Sequence, residues 1–330
     1  MLYYFFYVFN MIPYKLVDWF DTRYINWKLL SKNPRAIGLL EENPEKINWI
    51  NLSLNTEAIS LLEKNPEKID WQCLSSNSSA IHILEKNPDK IYWPTLSSNS
   101  NAIHLLEKNP KKINWVSLSR NTGAIPLLEK ELYRTYIWNC FWRLFCGGHI
   151  PFNRIQWFEL SENTEAIPIL EKFPYIIDYN GLSYNTKAIH ILEKNEEKIH
   201  WGCLSANPTA IHLLERKLQD NQYDTYNNIE WYRLSLNHNA LHILEKNPNK
   251  INWYNLTRNT NPLAIELIKK RNEPYLFNCL SDNPRIFGYD YEKMKENKNM
   301  LHEELLEIML SPSNIEKFKD WGFPRCKNWD

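Results

Sequence analysis

Apolar positions recur along most of this chain with a period of 22 residues. In each period a tryptophan is followed by a leucine three residues later, and then by an Ala-Ile pair and two further leucine or isoleucine positions. A period of this length is typical of repeat proteins, in which one small unit packs on the next. We expect the recurrent tryptophan to form the core of each unit, at Trp27, Trp49, Trp71, Trp93, Trp115, Trp157, Trp201, Trp231 and Trp253.

Tyr179 and Phe277 occupy the tryptophan position in two further units, which makes eleven copies. Counted from the tryptophan, the fourth residue is always leucine and the seventh is always asparagine. The fifth residue is serine except at Thr257. Such regularity inside one chain indicates that these positions carry the contacts common to all copies.

The polar positions between the apolar ones predict two short helices in each copy. The segment N-[P/T/S]-x-A-I-x-L-L-E-K predicts helix B, with an apolar stripe, a capping asparagine and a proline such as Pro34 in the first turn. The segment K-I-[N/D]-W-x-x-L-S predicts helix A, on which Trp and Leu share a face. Asn48, Asp70 and Asn114 can cap helix A, but a start at the preceding proline fits the pattern equally well.

Helices of about six to ten residues are too short to be stable alone, since roughly 12 to 15 residues are needed for marginal stability. Each copy must therefore bury its apolar face against the next, which predicts an all-α solenoid of about eleven two-helix repeats with terminal helical caps. We expect an N-terminal cap over residues 1–22, the repeats over 23–287 and a C-terminal cap over 288–330. Layers of 8 to 10 Å would give an elongated rod or arc on the order of 100 Å long.

Two insertions interrupt the repeats, at residues 131–150 and 217–228. The first is rich in aromatic residues, which are typical of protein-binding hot spots, although an extra helix folded back onto its neighbours would also explain them. The second is polar and is predicted to be a loop. The candidate partner-binding residues in the two insertions are Tyr136, Trp138, Phe141, Trp142, Phe145, Tyr223 and Tyr226.

The composition argues against several classes of function. Lys+Arg and Asp+Glu are both 39, so no net charge favours nucleic acid or an acidic membrane. The apolar start MLYYFFYVFNMI is shorter than the roughly 20 residues that span a bilayer and lacks a signal-peptide pattern, and Met11 is an alternative first residue. We therefore expect neither a nucleic-acid partner nor a membrane partner.

The residues that usually carry chemistry recur in ladders and do not converge on one place. Five histidines occupy one repeat position, and layers near 9 Å apart cannot bring two of them onto one metal ion at roughly 2.1 Å. The six cysteines are too few for a disulfide scaffold and are predicted to be reduced. The sequence contains no P-loop, G-x-G-x-x-G, G-x-S-x-G or H-E-x-x-H motif. We therefore expect no enzyme activity, no metal and no cofactor.

The combined pattern W-x-x-L-S-x-N-P-x-A-I-x-L-L-E-K-N-P-E-K-I resembles a family of repeat proteins abundant in giant DNA viruses of the mimivirus-like groups. The start MIPYKLVDWF and the tail YDYEKMKE followed by S-P-S-N-I-E-K-F are similar to the ends of that family. The resemblance implies a viral protein made in the host cytoplasm, and it implies no activity. A scaffold that binds a host or viral protein is one expectation, and a minor structural component of the virion is the alternative.

Overall fold

The computed structural model describes residues 13–134, 154–219 and 228–298. The chain divides into two compact units, Asp18–Ile286 and a smaller one formed by Met1–Val17 with Phe287–Asp330. The larger unit contains the repeats, whose predicted limits were residues 23 and 287. In the described residues no helix combines the length and the apolar character needed to cross a bilayer.

Helix A begins at the tryptophan position in ten repeats. In repeat 11 it begins three residues earlier, at Pro274. In seven repeats the side chain of the residue before the tryptophan position caps the helix, as where Asp70 Oδ1 accepts from the Cys73 N–H at 2.8 Å. In chain order the A helices are Trp27–Leu30, Trp49–Leu54, Trp71–Ser76, Trp93–Leu96, Trp115–Ser119, Trp157–Glu162, Tyr179–Tyr184, Trp201–Leu204, Trp231–Leu234, Trp253–Leu256 and Pro274–Cys279.

Helix B follows in repeats 1 to 10. In order its bounds are Ile37–Glu41, Ile59–Glu63, Ile81–Lys86, Ile103–Lys108, 125–134, Ile167–Lys172, Ile189–Glu193, Ile211–Gln219, Leu241–Lys246 and Pro262–Arg271. The asparagine predicted to cap helix B instead caps the turn before it, since Asn33 Oδ1 accepts from the Arg35 N–H at 3.1 Å.

Short 3-10 helices form most of the turns between these helices, because an N-P pair sets the first turn but does not favour continuation into a longer helix. The turns before helix A are Thr22–Tyr24, Pro44–Lys46, Pro66–Lys68, Pro88–Lys90, Pro110–Lys112, Pro174–Ile176, Glu196–Lys198 and Pro248–Lys250. Those after helix A are Pro34–Ala36, Ser100–Ala102, Thr122–Ala124, Leu280–Asp282 and Pro284–Ile286.

The core of the repeats contains a ladder of asparagines beside the leucines and alanines. The seventh residue of each copy is buried, and its side-chain amide donates to two backbone carbonyls of the preceding copy at 2.7 to 3.2 Å. Asn77, for example, donates to Ser53 O and Asn55 O. The serine two residues before it adds a second link, since Ser53 Oγ accepts from the Asp70 N–H of the next copy at 3.0 Å.

The ladder has no free end, because repeat 1 makes the same bonds to repeat 11. Asn33 Nδ2 donates to Ser281 O and Asn283 O, both at 3.1 Å. The Asn26 N–H donates to Ser281 Oγ at 2.8 Å, which repeats the serine link of the other interfaces. The eleven repeats of Asp18–Ile286 therefore form a closed ring, and the expected elongated rod or arc is wrong.

Helix A lies closer to the axis of this ring than helix B. The A helices of several consecutive repeats contact each other, and short side chains bridge them, as where Asn51 Nδ2 donates to Lys28 O at 2.6 Å. The B helices are joined by longer side chains, as where His82 Nε2 and Glu63 Oε1 lie 3.0 Å apart. Elements near the axis of a ring have the smaller circumference, so the closely spaced A helices form its inner side.

The smaller unit contains a two-stranded antiparallel sheet. Strand β1, Tyr14–Leu16, pairs with strand β2, Phe287–Tyr289, and Tyr14 lies opposite Tyr289 with ring centroids 5.5 Å apart. Residues 291–298 form a helix. The described part of the predicted N-terminal cap therefore contains a strand where a helix was expected, and the two segments that flank the repeats are joined through this sheet.

Candidate binding surface

The candidate partner-binding residues of the two insertions lie outside the described residues: Tyr136, Trp138, Phe141, Trp142 and Phe145 in 135–153, and Tyr223 and Tyr226 in 220–227. The described residues nevertheless contain a surface that differs from repeat to repeat. That difference can be read within this one chain, because eleven copies of the same position can be compared.

Each tryptophan predicted as repeat core is partly buried. In several copies a lysine of the next turn lies over the ring, with Nζ 4.5 Å from the Trp27 centroid for Lys46 and 4.7 Å from the Trp71 centroid for Lys90. Such a cation–π contact contributes roughly 0.5 to 1 kcal/mol at an exposed site. The fully buried apolar side chains include the fourth-position leucines, the alanines before helix B and a leucine of helix B such as Leu62.

The residue that directly follows the tryptophan position, which is the second residue of each copy, varies most. In order it is Lys28, Ile50, Gln72, Pro94, Val116, Phe158, Asn180, Gly202, Tyr232, Tyr254 and Asn278. The sixth position varies similarly, from Lys32 to Tyr184 and Asp282. Both positions lie on helix A or just after it, and helix A is the inner helix of the ring.

Several of these variable positions expose apolar side chains. Ile50, Val116, Tyr232 and Tyr254 are 55%, 47%, 44% and 50% exposed. In repeat 11, where helix A begins earlier, Tyr275 is 52% exposed. Exposed aromatic residues that recur on adjacent elements are typical of protein-binding surfaces, because they bury a large area on contact.

Charged neighbours hold three of these tyrosines in place. Glu230 accepts a hydrogen bond that raises the pKa of Tyr232, and the Arg233 guanidinium lies 5.3 Å from the same ring. Arg258 Nη2 donates to Tyr254 Oη at 3.1 Å. Burial and a hydrogen bond to Glu273 raise the pKa of Tyr275. Tyr232 and Tyr275 therefore stay neutral phenols at physiological pH, and these contacts restrict the orientations of all three rings.

Helix B offers a uniform surface by comparison. A histidine of one copy pairs with a glutamate of the preceding copy at 2.7 to 3.0 Å in five places, and these side chains are about half exposed. The histidines of the ladder are His82, His104, His190, His212 and His242. The five copies that share this pair cannot be distinguished by it, so this part of the helix B surface is a weak candidate for specific recognition.

Chemically reactive groups do not converge in the described ranges. Cys73, Cys203 and Cys279 are free thiols, and burial raises the pKa of Cys73 to about 11, so that thiol is protonated at neutral pH. Within residues 13–134, 154–219 and 228–298, no three His, Cys, Asp or Glu side chains are placed to hold a metal ion.

The fold and this surface define a class, the helical repeat protein of the α-solenoid type, here with its repeats closed on themselves. Comparisons with protein families, with curated proteins and with solved structures found no match.

Proposed function

We propose that this chain is a non-catalytic scaffold that binds another protein through the A-helix side of its ring of repeats. The observation that carries the proposal is the contrast between the two sides of the repeat. The residue after the tryptophan position is of nine types in eleven copies and exposes apolar side chains such as Ile50, Tyr232 and Tyr254, whereas the B-helix surface repeats one histidine-glutamate pair at five places. Variable positions on an invariant core give repeat proteins their specific binding surfaces.

The resemblance of the repeat to proteins of giant DNA viruses leads us to propose further that the scaffold acts in the cytoplasm of an infected host. Its partner is then a host factor or a second viral protein. The equal numbers of Lys+Arg and Asp+Glu, 39 each, support a protein partner over nucleic acid.

Affinity capture with the full-length protein tests the binding side. Wild type, a Tyr232→Ala/Tyr254→Ala double variant and a Tyr175→Ala control are compared in lysate of the host cell. Tyr175 is 74% exposed in the turn Pro174–Ile176, so the control removes an exposed ring from a place outside the A-helix row. We expect the double variant to lose captured proteins that wild type and control retain.

Identical capture by all three proteins would contradict the assignment of the A-helix side.

Mass spectrometry of purified virus particles then separates the two viral roles. Many copies per particle would favour the structural role in the virion over the scaffold in the host cytoplasm, whereas absence from particles excludes the structural role.

A further inference from the structure

Closure of the ring brings four exposed cations together around the interface between repeats 11 and 1. Arg258 belongs to repeat 10, Arg285 to repeat 11, and Lys28 and Lys32 to repeat 1. The two arginines and the two lysines lie near opposite ends of the repeats in sequence, so only closure makes them neighbours. We call these four residues the seam patch.

The sixth positions of repeats 10, 11 and 1 form the centre of the seam patch. Arg258 Nε lies 4.0 Å from Asp282 Oδ2. Burial raises the pKa of Asp282, and the nearby charges of Arg258 and Lys32 oppose that rise. The Asp282 side chain is largely buried, whereas Arg258 and Lys32 are exposed. Asp282 therefore lies near a cation from the repeat on either side of it, and both cations face the solvent.

The other two cations extend this centre. Arg285 Nε donates to Thr260 O at 3.0 Å, two residues after Arg258, so its guanidinium reaches over repeat 10. Lys28 precedes Lys32 by one helical turn, and residues four apart share one face of a helix. The seam patch is therefore one surface that spans three repeats.

Cations elsewhere on the A-helix side are paired with carboxylates. At the second, third, sixth and ninth positions of repeats 2 to 9, counted from the tryptophan, the sequence has three cations. The pairs are Arg120 with Glu162 at 3.1 Å, Lys187 with Glu165 at 2.7 Å and Arg233 with Glu230 at 3.1 Å. In the described part of the chain no carboxylate lies within 4.0 Å of Lys28, Lys32 or Arg285. The positive charge of the seam patch is therefore only partly neutralised, by Asp282.

A positive surface that spans three repeats suits a short acidic protein segment. Arginine binds carboxylates through paired N–H groups, and the Tyr254 ring, which is 50% exposed and bonded to Arg258, adds apolar contact area. Nucleic acid is the weaker candidate, because it presents phosphates continuously and is bound along extended basic tracks. Here the unpaired cations end at repeat 2, where the second, sixth and ninth positions are Ile50, Leu54 and Glu57.

We propose that an acidic segment of a partner protein, rich in Asp or Glu, binds the seam patch through Lys28, Lys32, Arg258 and Arg285. This proposal rests on the proposed function, because it specifies the chemistry that the A-helix side recognises in its partner. Since the seam patch combines residues of repeats 10, 11 and 1, the binding also depends on the closed ring.

Fluorescently labelled decaglutamate is the probe, and labelled decaglutamine is its uncharged control. Binding to the full-length protein is followed by fluorescence anisotropy at low salt. We expect saturable binding of decaglutamate and no saturation with decaglutamine. A higher salt concentration should weaken the binding, because salt screens exposed charges.

Two double variants remove charge from the two sides of the interface, Lys28→Gln/Lys32→Gln and Arg258→Gln/Arg285→Gln. Each should weaken decaglutamate binding about fivefold, since each removes two exposed ion pairs with the peptide. Circular dichroism melting shows that the variants are folded. Because the two variants are independent, the proposal stays testable if one of them fails to fold.

The matched control Lys86→Gln/Lys108→Gln removes the same charge from exposed positions at the end of helix B and should bind decaglutamate as wild type does. Absence of saturable decaglutamate binding, equal binding of decaglutamine, an equal loss in this control or an unchanged affinity in a folded seam variant would overturn the proposal. Tighter binding of labelled dodecathymidylate would also overturn it, in favour of a nucleic-acid surface.

The affinity capture in host lysate separates these outcomes from a failure of the scaffold. Partners lost by Tyr232→Ala/Tyr254→Ala without decaglutamate binding leave the scaffold standing and remove the acidic occupant. Decaglutamate binding that depends on the seam patch, with unchanged capture by the tyrosine variant, supports the patch and contradicts the scaffold. Elution of captured partners by decaglutamate but not by decaglutamine supports both.

Discussion

At the scale of single residues, the seventh-position asparagine joins each repeat to its neighbour. Asn77 is buried, donates to Ser53 O at 3.1 Å and Asn55 O at 3.0 Å, and accepts from the Ser79 N–H at 3.0 Å. The sequence shows that this residue never varies, and capping explains the bond to Ser79. The two bonds to repeat 2 could not be predicted, because they depend on how far apart the layers lie.

Removal of this side chain takes the printed donor from Ser53 O and one of two donors from Asn55 O, which still accepts from the Ala58 N–H at 3.2 Å. An orphaned buried carbonyl costs about 1 to 3 kcal/mol and the lost cap on the Ser79 N–H about 0.5 to 2 kcal/mol, so Asn77→Ala should lower the free energy of unfolding by about 2 to 4 kcal/mol in denaturant titrations. Asn101→Ala is the matched control. Asn101 also donates to a preceding carbonyl, Ser78 O, at 3.0 Å but is exposed, so water replaces its bond and the loss should stay below about 1 kcal/mol. Equal losses would contradict a buried ladder.

A second residue-scale prediction concerns Asp282, a carboxylate that desolvation holds at a pKa above its ordinary value of 3.8 despite the nearby Arg258 and Lys32. The folded chain therefore binds this proton more tightly than the unfolded chain, so Asp282 destabilises the fold progressively as pH rises through these pKa values. Asp282→Asn should raise the melting temperature at pH 7, and the gain should vanish near pH 3. Asp89→Asn, a change at an exposed turn position, should have no effect at either pH.

At the scale of elements, the sequence predicts the helix pairs well, because caps and apolar spacing are local properties. The start of helix A at the tryptophan was one of two open alternatives, and the Asp70 bond to the Cys73 N–H favours it. The lysines that lie over the tryptophan rings were not predicted. Lys90 lies three residues before its own tryptophan in sequence, yet it covers Trp71 of the preceding copy, a contact that only the stacking register determines.

Trp71→Ala tests how much one helix pair depends on its aromatic residue. A fully buried tryptophan costs about 3 to 5 kcal/mol when truncated, and Trp71 is only partly buried beneath Lys90. We expect a loss of about 2 to 4 kcal/mol by chemical denaturation, with an unchanged shape of the circular dichroism spectrum under native conditions. Lys90→Ala should cost about 0.5 to 1 kcal/mol. A melting temperature equal to that of wild type in Trp71→Ala would remove the tryptophan from the repeat core.

At the scale of the whole repeat unit, closure depends on a small rotation between neighbours. Eleven copies that complete a circle turn by about 33° each, since solenoid curvature is the sum of the rotations per repeat. The sequence gives the number of copies but not this angle, and for that reason an elongated rod or arc was expected. The position of the binding surface could not be predicted from the sequence for the same reason. The variable residues at the second position are visible in the sequence, whereas the place of helix A on the inner side of the ring follows only from closure.

A substitution at repeat 1 tests closure directly. Asn33 bonds to Ser281 O and Asn283 O at 3.1 Å as Asn77 bonds to repeat 2. In a closed ring Asn33→Ala must therefore cost as much as Asn77→Ala, about 2 to 4 kcal/mol. In an open stack Asn33 would face water, and the same substitution would cost about what Asn101→Ala costs. Denaturant titrations of the three variants, run in parallel, distinguish the two arrangements, and grouping of Asn33→Ala with Asn101→Ala would show that the ring is open in solution.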